Sequence, residues 1–271
     1  MNLISKILQD KRNSSKCAFI PFLTAGFPNV ELTIKSLIVL DKQGADIIEL
    51  GIPYSDALAD GPLIQNASKI ALEQGVHVDQ VLNILIEVKN KINSPIIIFT
   101  YYNPILVRGL KNFLKDIARC GAKGLIVPDL PIEECEHISL LCIHYDLELI
   151  LFVSPTSSIR RITNIVNSAP GSLYLVSSTG VTGIRDSINE SIHLISNYIT
   201  SITDKVILLG FGISSPSQLF NIYHSAFRVD GIVVGSAFTK ILSKQCDDLS
   251  IQNDVVNELG LFCRQMKSVI G

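Results

Sequence analysis

The stretch GADIIELGIPYSDALADGP, residues 44–62, joins an apolar run carrying a glutamate to a turn-rich loop carrying two aspartates, then closes on a Gly-Pro step. The run from Asp46 has the length and Ile/Leu content of a strand. Pro62 suits the first position of a helix, where the N–H that proline lacks would have had no partner. Strand, loop and helix start therefore follow in immediate succession.

Outward from this stretch the same unit repeats. Apolar runs begin at Ala18 (AFIPFLTAG), Pro95 (PIIIFTYY), Gly124 (GLIVPD), Leu147 (LELILFV), Ser172 (SLYLVS), Lys205 (KVILLGFG) and Gly231 (GIVVGSA), which with DIIELG makes eight. Between them, residues 32–43, 81–91, 113–120 and 218–226 show helical spacing. Near-continuous apolar strands are buried on both faces, as a parallel sheet covered by helices requires. Eight strand–helix units in 271 residues point to a (β/α)8 barrel rather than an open sheet. No linker or low-complexity segment divides the chain. The expected organisation is α/β, one (β/α)8 TIM barrel domain over residues 1–271, with an extra amphipathic helix in MNLISKILQDKRNSSK at the N-terminus.

With 47% hydrophobic and 18% charged residues and a net charge of -2, the chain can bury a large core and carries no excess of basic charge. Lys and Arg are scattered and no aromatic platform accompanies them, so no nucleic-acid partner is expected. The most apolar stretches, residues 96–102 and 147–153, fall far short of the roughly 18 residues of a membrane span. No membrane partner is expected either. The N-terminal segment is too short in its apolar part for a secretory signal, and its Asp10 argues against a transit peptide. Six cysteines without a C-x-x-C pair, mostly in apolar surroundings, fit a reducing compartment.

In a barrel of this kind the chemistry sits on the loops after the strands. Glu49, Asp60, Tyr102, Asn103, Asp129, Thr182, Gly212 and Ser236 fall at or after strand ends, whereas Lys123 and Lys205 fall at strand starts, on the face that serves stability. Glu49 follows Ile47 by two, so both side chains face the same side of an extended strand. Burial at the barrel mouth would raise its pKa into a range useful for acid/base work; the alternative is a structural ion pair. Asp60 precedes Gly-Pro and could equally serve to start the next helix.

GFGISS (residues 210–215) and GSAF (residues 235–238) follow the seventh and eighth strands and lead into helices. Glycine allows close backbone approach, a helix N-terminus carries partial positive charge, and Ser236 adds a hydroxyl, so the pair can cradle a phosphate. The plainer alternative is that these glycines only turn the chain. GFGISS half-matches a dinucleotide fingerprint, but it lacks the third glycine and follows the seventh strand, which favours a phosphorylated small molecule. Cys135, His137, Cys142 and His144 share one helix at spacings that match no common zinc site, and no metal is expected. There is no G-x-S-x-G elbow, and no lysine at a strand's C-terminal end to form a Schiff base. Carbon–carbon chemistry here would run on carboxylates.

The blocks PFLTAGFP (21–28), IELGIPYSDALADGP (48–62), IQNAS (64–68), YYNPI (101–105), VPDLP (127–131), VSSTGVTG (176–183), GFGIS (210–214) and GSA (235–237) occur in the order in which the tryptophan synthase alpha chain family has similar blocks. The sequence resembles that family through almost its whole length, and its VSSTGVTG block resembles the cyanobacterial and plastid branch. The resemblance implies cleavage of indole-3-glycerol phosphate to indole and glyceraldehyde 3-phosphate, with Glu49 as proton donor and acceptor and Asp60 holding the indole N–H. It places Phe22, Ile64, Tyr102 and Tyr174 in the indole pocket, and Thr182, Gly183, Phe211, Gly212, Gly235 and Ser236 at the substrate and its phosphate. It implies a beta-chain partner in an α2β2 assembly, met through Pro53, Asp56 and residues 179–187. Pyridoxal phosphate would belong to that partner, with no cofactor in this chain. The sequence departs from many relatives in Ala57, often proline, and in Ser178, often arginine in bacteria. A stand-alone indole-3-glycerol phosphate lyase, or a silent phosphate-binding activator, are the alternatives. Heavy use of Ile, Lys and Asn hints at an AT-rich genome such as a plastid's, so the expected location is the cytoplasm, or the chloroplast (plastid) stroma.

Overall fold

The computed structural model describes residues 2–176, 190–210, 212–225, 227–247 and 252–271. Its eight strands are β1 (Ala18–Thr24), β2 (Ile48–Gly51), β3 (Ile96–Phe99), β4 (Ala122–Ile126), β5 (Glu148–Val153), β6 (Ser172–Val176), β7 (Val206–Gly210) and β8 (Gly231–Val234). They pair in parallel, each with the next in sequence, and β8 closes on β1, giving the (β/α)8 barrel expected from the eight apolar runs. The N-terminal helix α1 (Leu3–Asn13) is present as well.

The period of two along each strand sorts side chains into two layers. Ala18, Ile20 and Phe22 of β1 join the barrel interior, together with Ile47, Ile97, Ile126, Ile150, Tyr174 and Leu208. Phe19 and Leu23 of β1, and Leu173 and Leu175 of β6, face the helices instead. The helices facing this outer layer include α2 (Val30–Lys42), α3 (Pro62–Glu73), α4 (Val78–Val88), α5 (Tyr102–Arg108) and α6 (Leu110–Cys120). The ring continues with α7 (Ile132–His144), α8 (Ile159–Ser168), α9 (Glu190–Ile202), α10 (Pro216–Tyr223), α11 (Ser236–Asp247) and α12 (Gln252–Ile270). On α7, Cys135 and Cys142 are buried while His137 and His144 are exposed, so the helix separates the two residue types onto opposite faces.

Helix α1 plugs the floor of the barrel. Its Ile4 and Leu8 are fully buried among interior residues. A Cβ at Gly231 would lie 2.8 Å from Leu8 Cδ2, so this glycine makes room for the plug. The plug is also keyed by a buried carboxylate. Glu148 Oε2 accepts from the Ser5 N–H at 3.0 Å, and Oε1 accepts from the hydroxyls of Ser5 and Ser172, both at 2.5 Å. With these donors the charge is satisfied inside the core, which is the condition for burying it. Lys123 and Lys205 lie at the same end, Lys123 paired with Asp146 at 2.6 Å and Lys205 bonded to the carbonyls of Val166 and Ala169.

β3 stops at Phe99 and α5 begins at Tyr102, so Tyr102 and Asn103 fall after the strand end as expected, and the first N–H of α5 donates to Asp129 at 2.9 Å. Among the described residues no helix is long and apolar enough to cross a membrane.

Candidate active site

At the C-terminal end of the barrel a cavity is lined by Phe22, Glu49, Asp60, Ile64, Phe99, Tyr174, Gly212, Val233, Gly235 and Ser236. Strands β1 and β2 place Phe22 beside Glu49 in register, and β2 and β3 place Glu49 beside Ile97. The aromatic walls brace one another: Phe22 and Phe99 meet edge-on at 5.7 Å, and Phe152 packs on Tyr174 at 4.6 Å. The result is an apolar slot with carboxyl groups from two different elements.

Glu49 is 1% exposed, and its Oε2 has no hydrogen-bond partner among the described residues. Among the described residues no cation pairs with it, so the alternative of a structural ion pair fails. Burial pushes its carboxyl up to about 8, and the charge of Asp60 adds to this. Asp60 does not cap the following helix: the N-cap of α3 is Gly61, without a side-chain cap bond. Its carboxylate instead accepts from the Tyr101 hydroxyl at 2.9 Å. Burial pushes Asp60 up to about 6, while the Tyr101 bond pulls the other way. At neutral pH, then, one carboxyl is mainly protonated and its neighbour mainly ionised, the division of labour acid/base chemistry needs.

Tyr101, 3% exposed, was not among the expected site residues, and Tyr102 was. Neither tyrosine is among the lining residues of the cavity, but Tyr101 bonds Asp60, which is. Tyr102 is half-buried and packs against the layer between barrel and helices, outside the cavity. Tyr101 holds Asp60, accepts from the Ala59 N–H at 3.0 Å and stacks on Tyr54 at 5.1 Å. It thereby ties the loop that carries Asp60 to the end of β3, helped by Gln65, whose side-chain amide donates to the carbonyls of Ala57 and Asp60. The signal was in the alternation: Ile97, Phe99 and Tyr101 share one parity and all join the interior cluster. We expect Tyr101→Phe to lower kcat roughly tenfold, the size of a hydrogen bond to a charged group, and to move the acid limb of the pH-rate profile upward because Asp60 loses the donor that holds its pKa down. An unmoved acid limb would count against this latch.

Glycines shape the rim. A Cβ at Gly51 would lie 2.7 Å from Phe22, one at Gly235 3.0 Å from Phe22, and one at Gly210 2.0 Å from the Tyr174 hydroxyl. Gly212 has φ +81°, in the left-handed region that side chains disfavour. Gly235 and Ser236 stand at the start of α11, where helix N–H groups favour an anion. No Lys or Arg is among the described residues lining the cavity. Thr182, Gly183, Phe211, Ser178 and residues 179–187 lie outside the described residues. In the loop after β2, Pro53 and Ala57 are buried, whereas Asp56 and Leu58 are exposed.

A family model described as "Tryptophan synthase alpha chain" matches residues 8–270. The chain is 54% identical to the tryptophan synthase alpha chain of Gracilaria tenuistipitata var. liui, an alignment covering 98% of this chain and 96% of that one. It is 45% identical to that of a Synechocystis species over 100% of both chains. Among solved structures, one of Mycobacterium tuberculosis tryptophan synthase superposes with a TM-score of 0.87 at 28% identity, covering 99% of this chain and 98% of that one. Tryptophan synthase subunit alpha from Legionella pneumophila superposes at 0.84 with 31% identity, covering 100% and 98%.

Proposed function

The chain belongs to the tryptophan synthase alpha chain family, a lyase family of tryptophan biosynthesis that cleaves indole-3-glycerol phosphate, and from that premise we propose that Glu49 and Asp60 carry the cleavage. The observation that carries this reading is the fully buried Glu49 carboxyl, whose Oε2 has no partner among the described residues, raised to about 8 in an aromatic slot beside Asp60. The indole ring occupies the slot between Phe22, Phe99 and Tyr174. Glu49 gives its proton to C3 of the indole, and the Asp60 carboxylate accepts the ring N–H and stabilises the positive charge that develops there. The Glu49 carboxylate so formed takes the proton of the glycerol hydroxyl on the carbon attached to the ring. The bond from that carbon to C3 then breaks, its electron pair returning to the ring as an aldehyde forms. Glu49 ends protonated, and indole and glyceraldehyde 3-phosphate leave.

The phosphate is held by backbone N–H groups at Gly212, Gly235 and Ser236, and the family resemblance adds Thr182, Gly183 and Phe211 to its contacts. Ile64 closes the slot, and residues 1–271 act as one domain. The partner is a beta chain in an α2β2 assembly, and it carries the pyridoxal phosphate that the consumption of indole requires; this chain's own reaction needs no cofactor. Asp56 and Leu58, exposed on the loop that carries Asp60, suit a contact through which docking orders the active site. The location is the cytoplasm or the plastid stroma, a reducing setting in keeping with the unpaired buried cysteines Cys17, Cys120, Cys135, Cys142 and Cys263. The test is turnover of indole-3-glycerol phosphate by the chain alone and with an added beta chain. Slow turnover that rises on addition, and rises less in Asp56→Ala, is the expected result. A chain fully active alone would mark a stand-alone lyase.

A further inference from the structure

At the floor of the barrel, opposite the active site, a second cavity of about 190 Å³ lies between the end of α1 and the segment that enters β8. Its charged lining is Arg12, Lys16, Arg228 and Asp230, and Tyr223 and Phe227 give it an apolar side. The lining thus carries three cations to one carboxylate. Asp230 is occupied: its Oδ2 accepts from the Ile207 N–H at 2.8 Å, while Arg12 Nε lies 3.2 Å from Oδ1 and Arg228 Nε 3.7 Å from Oδ2.

Both guanidinium groups are held in place by main-chain carbonyls. Arg12 Nη1 donates to Asp204 O at 3.0 Å, and Arg228 Nη2 to Lys205 O at 2.6 Å. Yet among the described residues Arg12 Nε, Arg12 Nη2 and Arg228 Nε are buried without an aligned hydrogen-bond acceptor, the Nε contacts to Asp230 being ion-pair distances only. Burying charged donors without acceptors is unfavourable. Two fixed guanidinium forks, a free lysine beside them and an apolar wall have the chemistry of an oxyanion site.

We propose that this cavity is a second ligand site, separate from the active site, for a small oxyanion, phosphate or carboxylate, with an apolar body. The anion accepts from the free N–H groups of Arg12 and Arg228, and its body lies against Phe227. Occupancy ties the end of α1 to the base of β7 and β8.

The full chain, labelled with ¹⁵N-arginine, is titrated separately with inorganic phosphate and with benzoate while the Nε–H signals of Arg12 and Arg228 are followed, assigned through Arg12→Lys and Arg228→Lys. These signals report on this cavity whatever binds in the active site. The expected result is a saturable shift of both signals. Lys16→Gln, at an exposed position that makes no ion pair among the described residues, should weaken binding roughly threefold, the size of an exposed charge contact, with an unchanged melting temperature. Tighter benzoate identifies a carboxylate ligand and tighter phosphate a phosphate ligand. Absence of a saturable shift with both titrants, or equal affinity in Lys16→Gln, would overturn the proposal.

Discussion

Glu49→Gln is expected to slow indole formation by roughly 10²–10⁴-fold, the range for loss of a positioned acid/base group, while the protein remains folded and becomes more stable above neutral pH. The amide keeps the shape of the carboxyl but can neither give nor take the proton. The stability effect follows from the direction of the pKa change. Burial raises Glu49 from 4.5 to about 8, so the folded state binds this proton more tightly than the unfolded state, and stability falls as pH rises through that interval. Glutamine does not titrate and escapes this loss. The advantage of the variant should be absent below pH 4.5, grow through the interval and be complete above about 8; at about 1.4 kcal/mol for each tenfold displacement of the ionisation constant, it reaches a few kcal/mol. Steady-state indole release and melting curves across pH check both halves. Near-normal turnover would remove Glu49 from the reaction.

Gly210→Ala is expected to lower kcat/KM by about a hundredfold, as a displacement of roughly 1 Å in an active site can, and to cost about 1–3 kcal/mol of stability through overpacking. The added methyl would lie 2.0 Å from Tyr174 Oη, 2.4 Å from Cζ and 2.5 Å from Cε1, so removing the hydroxyl alone would not relieve it. Tyr174 cannot simply turn aside, because its ring packs on Phe152 at 4.6 Å and is 2% exposed. The movement left to it is into the slot that we assign to the indole ring. Melting and kcat/KM of the variant test this, and wild-type values in both would show that Tyr174 is not a fixed wall.

How far the sequence could be read depended on the range of the signal. Strand alternation is local, so the eight apolar runs located the barrel, and the spacing of Ile47 and Glu49 placed the carboxyl inside it. The roles of Glu49 and Asp60 came through resemblance, and the local reading left an ion pair and a helix start open for them. Those alternatives close only when β2 and α3 are seen in three dimensions, with no cation pairing Glu49 among the described residues and Gly61 in the cap position. Tyr101 escaped the reading because the resemblance placed Tyr102 in the indole pocket, and which of two adjacent tyrosines faces the interior depends on where β3 ends. The contacts of Gly51 and Gly210 with Phe22 and Tyr174 cross between strands and leave no local pattern. The floor cavity draws on Arg12, Lys16, Tyr223 and Arg228, far apart in the chain, and no motif joins them.

Nuclear magnetic resonance titration of ¹³C-carboxyl-labelled glutamate, with the Glu49 signal assigned by its loss in Glu49→Gln, tests the central claim most directly. The account predicts that Glu49 in the free enzyme titrates near pH 8, far above its ordinary value of 4.5, in step with the alkaline limb of kcat/KM. Titration of Glu49 near its ordinary value would contradict it, because the buried acid that the cleavage requires would then be ionised at neutral pH.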